Sequence, residues 1–224
     1  MKGRFLPFLV SLVVLFLLYP VMMELGYARL FRLAFMVVLA TAVYSLGRTK
    51  RALAVALILG IPALATQSLA YWAPGQGTLI ATTIATMLFL VFVVVVMLTT
   101  VLGAGKVTAD RIAGAISVFL LLGLLWTTAY GLVALADPES FRGLDLGEGL
   151  AQGQEYGFIY YSFVTLTTLG YGDITPISPM SRTLSWMEAV VGQLFLAILV
   201  ARLVGLYVVA EKIGVGSGSD SGVG

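Results

Sequence analysis

The sequence predicts an all-α membrane protein with six transmembrane helices and one further helix too short to cross. Three observations carry this reading. The 224 residues are 60% hydrophobic and only 11% charged, a balance outside the range of soluble globular domains. Six apolar runs approach or exceed the roughly 20 residues that span a bilayer as a helix. Between the last two lies a shorter run, Gly157–Leu169, whose end overlaps the string TLTTLGYGD, Thr165–Asp173.

The first run, Phe5–Met23, follows Lys2 and Arg4, and Gly26-Tyr27-Ala28 has the small residues of a cleavage site. Its apolar stretch is longer than a usual signal-peptide core, so it is read as a retained span. The second, Leu30–Leu46, is short, with Arg29 and Arg32 snorkelling at its start. The third and fourth are Ala52–Trp72 and Thr78–Leu102, and no residue from Ala52 to Gly105 is charged. A link with Lys106, Asp110 and Arg111 reads as an interfacial amphipathic turn. It leads into the fifth span, Ile112–Ala136. The half-length run suits a re-entrant segment, helical over Tyr156–Thr167. The sixth span is Thr183–Ala210, and the Gly/Ser-rich tail Gly214–Gly224 is expected to be disordered. The chain therefore divides into a four-helix transmembrane domain (1–105), a second membrane unit (106–212) and a tail (213–224).

Basic residues mark cytoplasmic loops. Lys2 and Arg4, then Arg48, Lys50 and Arg51, then Lys106 and Arg111, and finally Lys212 all fall on one side if six spans place both ends in the cytoplasm. The opposite side holds the uncharged turn Ala73–Gly77 and an acidic loop with Asp137, Glu139, Asp145, Glu148 and Glu155. Arg29, Arg32 and Arg142 break the pattern but are outnumbered. Multi-pass insertion in the cell membrane, among its lipids, is the consequence. The chain has no cysteine and no histidine, which removes disulfides, thiolate metal sites and the commonest general base. With no nucleophile–base pair evident, an enzyme is not expected. A net charge of +2 does not suggest nucleic-acid binding.

The chemistry lies in TLTTLGYGD. Backbone carbonyls aimed at one axis can replace the hydration shell of a cation. Aiming successive carbonyls inward demands backbone angles that Gly170 and Gly172 adopt at little cost. The Thr168 hydroxyl adds an oxygen at the inner end. Tyr171 points away as a spacer, with Tyr160 and Tyr161 as its expected neighbours. The C-terminal, negative end of the preceding helix faces the same path. One chain supplies one such strand, and a cyclic homo-oligomer is the simplest closure.

The string closely resembles the signature of tetrameric potassium channels, Thr-x-x-Thr-x-Gly-Tyr-Gly-Asp, over nine residues. The context from Ile112 to Ala210 resembles that family's order of outer helix, pore helix, selectivity filter and inner helix. The resemblance implies a fourfold homotetramer conducting K⁺ passively, with no cofactor beyond K⁺ held in the filter. Carbonyls of Thr168, Leu169, Gly170 and Tyr171 would be the ligands, with Gly172 completing the strand. Thr165, Thr167, Tyr160, Tyr161 and Asp173 would support it, with Asp173 at the outer mouth. Leu169 replaces the commoner Val or Ile, where only the carbonyl would hold the ion. Val164 stands where some members place a pore-helix glutamate, so an Asp173-centred inactivation is not carried over. The first four spans resemble a voltage-sensor-like domain stripped of its gating charges, and weak voltage dependence is expected.

Four further residues stand out. Gly192 is either a hinge, as the resemblance suggests, or a site of close helix packing. Gln193 either faces a water-filled cavity, the favoured reading, or bonds between helices. Glu188 is an intramembrane carboxylate, a functional candidate by default; the favoured reading sets it shallow, near the outer interface, and paired with Arg182 or another group. Arg202 either snorkels to the cytoplasmic headgroups, the favoured reading, or forms a positive ring at an inner mouth. The rival functions are a secondary transporter, which would carry paired repeats and interrupted helices, and a non-conducting membrane subunit.

Overall fold

The computed structural model describes residues 5–25, 34–35, 37–38, 41–42, 50–73, 75–103, 108–144 and 154–216. Its helices are α1 (Phe5–Glu24), α2 (Lys50–Trp72), α3 (Gln76–Val101), α4 (Ala109–Ala136), α5 (Gln154–Leu166) and α6 (Pro179–Gly216). Five of these are long and apolar enough to cross a membrane, and α5 is a shorter apolar helix. Of the expected second span, only residues 34–35, 37–38 and 41–42 are described, and they are helical. Lys2, Arg4, Arg29, Arg32, Arg48, Lys106, Asp145, Glu148 and the tail beyond Gly216 lie outside the described residues.

The helix ends obey local chemistry that apolar runs do not report. Before α4, the Thr108 side chain accepts the Arg111 amide and Asp110 stands in the first turn, an N-cap with a favourable charge beside it. Before α6, Ser178 Oγ accepts the Ser181 amide at 3.2 Å, and Pro179 sits at the first position, where its missing N–H costs nothing. α6 therefore starts earlier than the expected Thr183. It also continues through Gly216, into the stretch expected to be disordered.

The main core joins α1, α2, α3 and α4 through Phe8, Leu12, Ala63, Phe89, Leu90, Met97 and Leu121. Apolar attraction contributes little between helices in lipid, so close packing at small residues matters more. A methyl at Gly123 would meet the Phe163 ring at 2.6 Å, so α5 lies hard against α4. Phe163 also meets Phe16 of α1 edge-on, with ring centroids 5.1 Å apart. A second cluster of Tyr130, Phe141, Phe158, Tyr161 and Ile174 packs around the outer part of α5.

A short antiparallel ladder was not expected. In it β1 (Phe141–Arg142) pairs with β2 (Thr175–Pro176). It ties the chain after α4 to the chain after Asp173. Gly143 lies against the Asp173 carbonyl so closely that a Cβ would collide with it. Ser140 adds a buried anchor, its carbonyl accepting the Ile177 amide and the Ser181 hydroxyl, both at 2.8 Å.

Glu188 is fully buried in α6 and does not pair with Arg182, whose Nε donates instead to the Pro176 carbonyl at 3.3 Å. The Tyr130 hydroxyl of α4 donates to Glu188 Oε2. The Ser162 hydroxyl of α5 lies 2.5 Å from Glu188 Oε1 and 2.8 Å from the Gly123 carbonyl. A buried carboxyl is costly unless hydrogen-bonded, and this one meets that cost by joining three helices. Removing it takes away the hydrogen-bond partner of the buried Tyr130 hydroxyl, at roughly 1–3 kcal/mol for an unsatisfied group. Glu188→Leu should therefore lower the melting temperature of the detergent-solubilised protein, while Glu188→Gln, which keeps an acceptor, should lower it less. Equal melting of Glu188→Leu and the parent would show that the junction does not hold the helices.

Candidate functional site

α5 ends at Leu166, and residues 167–173 come next with every one exposed. The first turn after the helix closes on itself. The Thr165 carbonyl accepts the Thr168 amide at 2.9 Å, and the Val164 carbonyl accepts those of Leu169 and Gly170 at 2.9 and 3.3 Å. Such bonds satisfy the orphan carbonyls of a helix end. φ is then positive at Thr168 (58°), Gly170 (60°) and Gly172 (81°). Glycine takes these angles freely, whereas at Thr168 the left-handed region carries strain. Among the described residues, no group donates a hydrogen bond to the carbonyls of Thr168, Leu169, Gly170, Tyr171 or Gly172.

Both ends of this segment are held. At the start, Thr168 Oγ1 donates to the Thr167 carbonyl at 2.7 Å and accepts from Gln193 Nε2 at 3.0 Å. Thr167 Oγ1 donates to the Phe163 carbonyl at 2.6 Å. Gln193 thus reaches the base of the segment itself. Gly192 beside it lies so close to the Leu166 carbonyl that a Cβ would collide, which is the close-packing alternative. At the far end, the Tyr160 hydroxyl donates to Asp173 Oδ2 at 2.6 Å and the Ile174 amide to Asp173 Oδ1 at 3.0 Å.

Tyr160 and Tyr161 have hydroxyl partners within the chain. Tyr171 is 67% exposed. The Tyr160 hydroxyl is bound to Asp173, and that of Tyr161 lies 2.6 Å from Ser185 Oγ of α6. These contacts fasten α5 to the end of the exposed segment and to α6, so the two tyrosines act as ties between segments.

Arg202 reaches the end of α3. Its Nη2 donates to the Gly103 carbonyl at 2.5 Å, and Arg111 Nη1 donates to the same oxygen at 3.1 Å. Two cations thus converge on the C-terminal, negative end of α3. Asp110 Oδ1 accepts the Phe5 and Leu6 amides at 2.9 and 3.3 Å, serving the positive end of α1. These groups share one end of the bundle, opposite the end of Asp137 and the two-stranded ladder. Sequence reasoning missed Tyr130, Ser162 and Gly103. The first two carried a signal, as polar groups inside apolar helices, but the Gly103 carbonyl carried none.

Together these features define an all-helical membrane protein. It presents an exposed stretch of backbone, its carbonyls without donors among the described residues, between a half-length helix and a full span. Residues 118–208, from within α4 through α5 and the exposed segment into α6, match a family model described as "Ion channel". The match covers less than half of the 224 residues. It supports an ion channel and points away from an enzyme. No curated protein and no solved structure matches the chain.

The Tyr160 hydrogen bond, aided by the Ile174 amide, holds the Asp173 carboxyl below the usual carboxylate range. A lowered folded-state pKa stabilises the fold above the unfolded pKa and stops doing so as pH falls through the folded one. Tyr160→Phe should raise the Asp173 midpoint toward the ordinary value, so that protonation begins at higher pH. A ¹³C-carboxyl NMR titration of the aspartates reads this directly. An unchanged midpoint would show that the tie is not formed.

Proposed function

We propose that the protein is a potassium-selective ion channel. In this reading four identical chains surround a central axis in the cell membrane, with both termini cytoplasmic. The segment Thr168–Gly172 is the selectivity filter, α5 the pore helix, α4 the outer helix and α6 the inner helix. The observation that carries the reading is the run of carbonyls without donors, among the described residues, at Thr168, Leu169, Gly170, Tyr171 and Gly172. Backbone polar groups at membrane depth persist only against protein partners or a water- or ion-filled path. Carbonyls stacked on one axis suit a dehydrated monovalent cation, and residues with positive φ make the stacking possible.

The exposed faces support assembly. Only 11% of the α6 span is buried within one chain, against 44% of the α4 span. Apolar residues on α6 could face lipid, but Gln193, Thr168 and the carbonyl segment are unsuited to it. A ring of copies places them on an aqueous axis and covers Tyr171. The helix dipole of α5 then points its negative end at the cation path. Transport by alternating access finds no matching interrupted helix among the described residues.

In planar bilayers the purified protein should pass K⁺ and Rb⁺ readily and Na⁺ poorly, and its mass in detergent should be that of four chains. A reversal potential that tracks Na⁺ as closely as K⁺ would refute selectivity, and an active monomer or dimer would refute the ring. Gly170→Ala should abolish selective current, because a methyl resists the positive φ at this position.

The same reading includes a channel that responds weakly to voltage. A voltage sensor needs charges that move through the field, each contributing about 2.3 kcal/mol per 100 mV. α3 contains no charged residue. The one arginine toward the inner part of the α6 span, Arg202, is bound to the end of α3. Open probability should change little between about −100 and +100 mV, a range over which one full gating charge would shift the balance by about 4.6 kcal/mol. A steep conductance–voltage curve in symmetrical K⁺, persisting without internal blocking ions, would overturn this.

A further inference from the structure

Between α2, α3, α4 and the start of α5, with Phe35 at its edge, lies a cavity of about 110 Å³, room for several water-sized groups. One side is apolar, formed by Leu90, Leu124, Phe158 and neighbours, and no charged residue lines it. The other side is a cluster of threonines with Gln67 of α2 beside them. Thr83 donates to the Leu79 carbonyl, Thr127 to that of Gly123 and Thr128 to that of Leu125. Their hydrogens are spent within their own helices, and lone pairs remain to accept. Thr86 differs. It is 4% exposed and lines the same cavity, and its hydroxyl has no hydrogen-bond partner among the described residues.

A buried hydroxyl left unbonded is costly, and few native groups tolerate it without a partner. The cavity thus offers the Thr86 hydroxyl and the Gln67 amide as donors, several acceptors, an apolar wall and no charge. A group that both accepts and donates, carried on an apolar chain, satisfies all four conditions. We propose that this cavity binds a neutral hydroxyl-bearing amphiphile. Its hydroxyl accepts from Thr86 and donates to a threonine oxygen across the cavity, while its chain lies along Leu90, Leu124 and Phe158. A carboxylate or an ammonium finds no countercharge, and a plain hydrocarbon leaves Thr86 unpaired. The hydroxyl belongs either to a free alcohol or to a glyceride of the bilayer. Because Phe158 belongs to α5, an occupant touches the helix that presents the exposed carbonyl segment.

The test is photolabelling of the full chain in phosphatidylcholine vesicles with a diazirine-bearing octanol, adducts being mapped by mass spectrometry. Adducts should fall on α3 around Thr86 and on α5 around Phe158. Excess 1-octanol should suppress them, while n-octane at equal membrane concentration should not, and octanoate should compete poorly. Suppression by 1-octanoylglycerol as well would identify a glyceride hydroxyl as a source; suppression by octanol alone would restrict the site to free alcohols. Thr86→Val, nearly isosteric, should cut labelling roughly threefold to tenfold, the range for one neutral hydrogen bond. Leu124→Trp, checked for an unchanged melting profile, should abolish it by filling the cavity. Adducts elsewhere, equal competition by octane, unchanged labelling of Thr86→Val, or no displaceable adduct at all would each overturn the proposal. None of these readouts depends on conduction, so failure here leaves the channel reading standing, and the converse also holds.

Discussion

A backbone carbonyl at membrane depth must find a partner or a polar path. That constraint shapes this chain more than any other. The structure contains a run of five carbonyls, Thr168 to Gly172, to which no described group donates. The surrounding bonds act to keep the run open. The amides of Thr168, Leu169 and Gly170 are drawn back onto the end of α5. The turned φ angles then separate the carbonyls from the donors that would otherwise pair with them. In the proposed channel, a helix too short to span is what would bring such a segment to mid-depth.

Holding the segment is a matter of its two ends. Its start is fixed where α6 presses Gly192 against the Leu166 carbonyl and sends Gln193 to Thr168. Its finish is fixed by Tyr160 on Asp173 and by the β1–β2 ladder, with Gly143 laid over the Asp173 carbonyl. Behind both, Glu188 joins α6 to Tyr130 of α4 and Ser162 of α5. In lipid, polar contacts between helices add to close packing where hydrophobic attraction is weak. A buried carboxyl among hydroxyls is therefore a reasonable way to fix three helices in one register, with the short helix between its long neighbours.

How far this was legible depends on which signals are local. Spanning helices announce themselves by length and apolarity, and α3 and α4 begin and end within a few residues of their apolar runs. The positive φ at Gly170 and Gly172 was readable because glycine is the residue that takes it cheaply. The same angle at Thr168 was not, since nothing in threonine's chemistry favours it. Helix starts were misplaced where a cap decides them: Ser178 and Pro179 set the start of α6 in a stretch of low hydropathy. Glu188 was marked as anomalous, but its partners lie 58 and 26 residues away in sequence. Sequence proximity favoured Arg182, and three-dimensional packing chose Tyr130 and Ser162. Arg202 was unreadable for a deeper reason. Its partner is the carbonyl of Gly103, and a backbone oxygen has no signature in sequence.

The two arginines on Gly103 bear on what the first four spans do in the proposed channel. A helix that moves in a field needs charge along its length and freedom at its end. α3 has no charge, and its C-terminal end is clasped by Arg111 from α4 and by Arg202 from α6. α1 is tied to the same region through Asp110 on its first amides. These bonds join one end of three spans to α6, which in the proposed channel is the helix whose displacement would widen a central pore. In that arrangement the four-helix unit acts as a frame on the inner helix, not as a lever driven by voltage. In the proposed channel, a stimulus acting through it would have to change packing or these capping bonds.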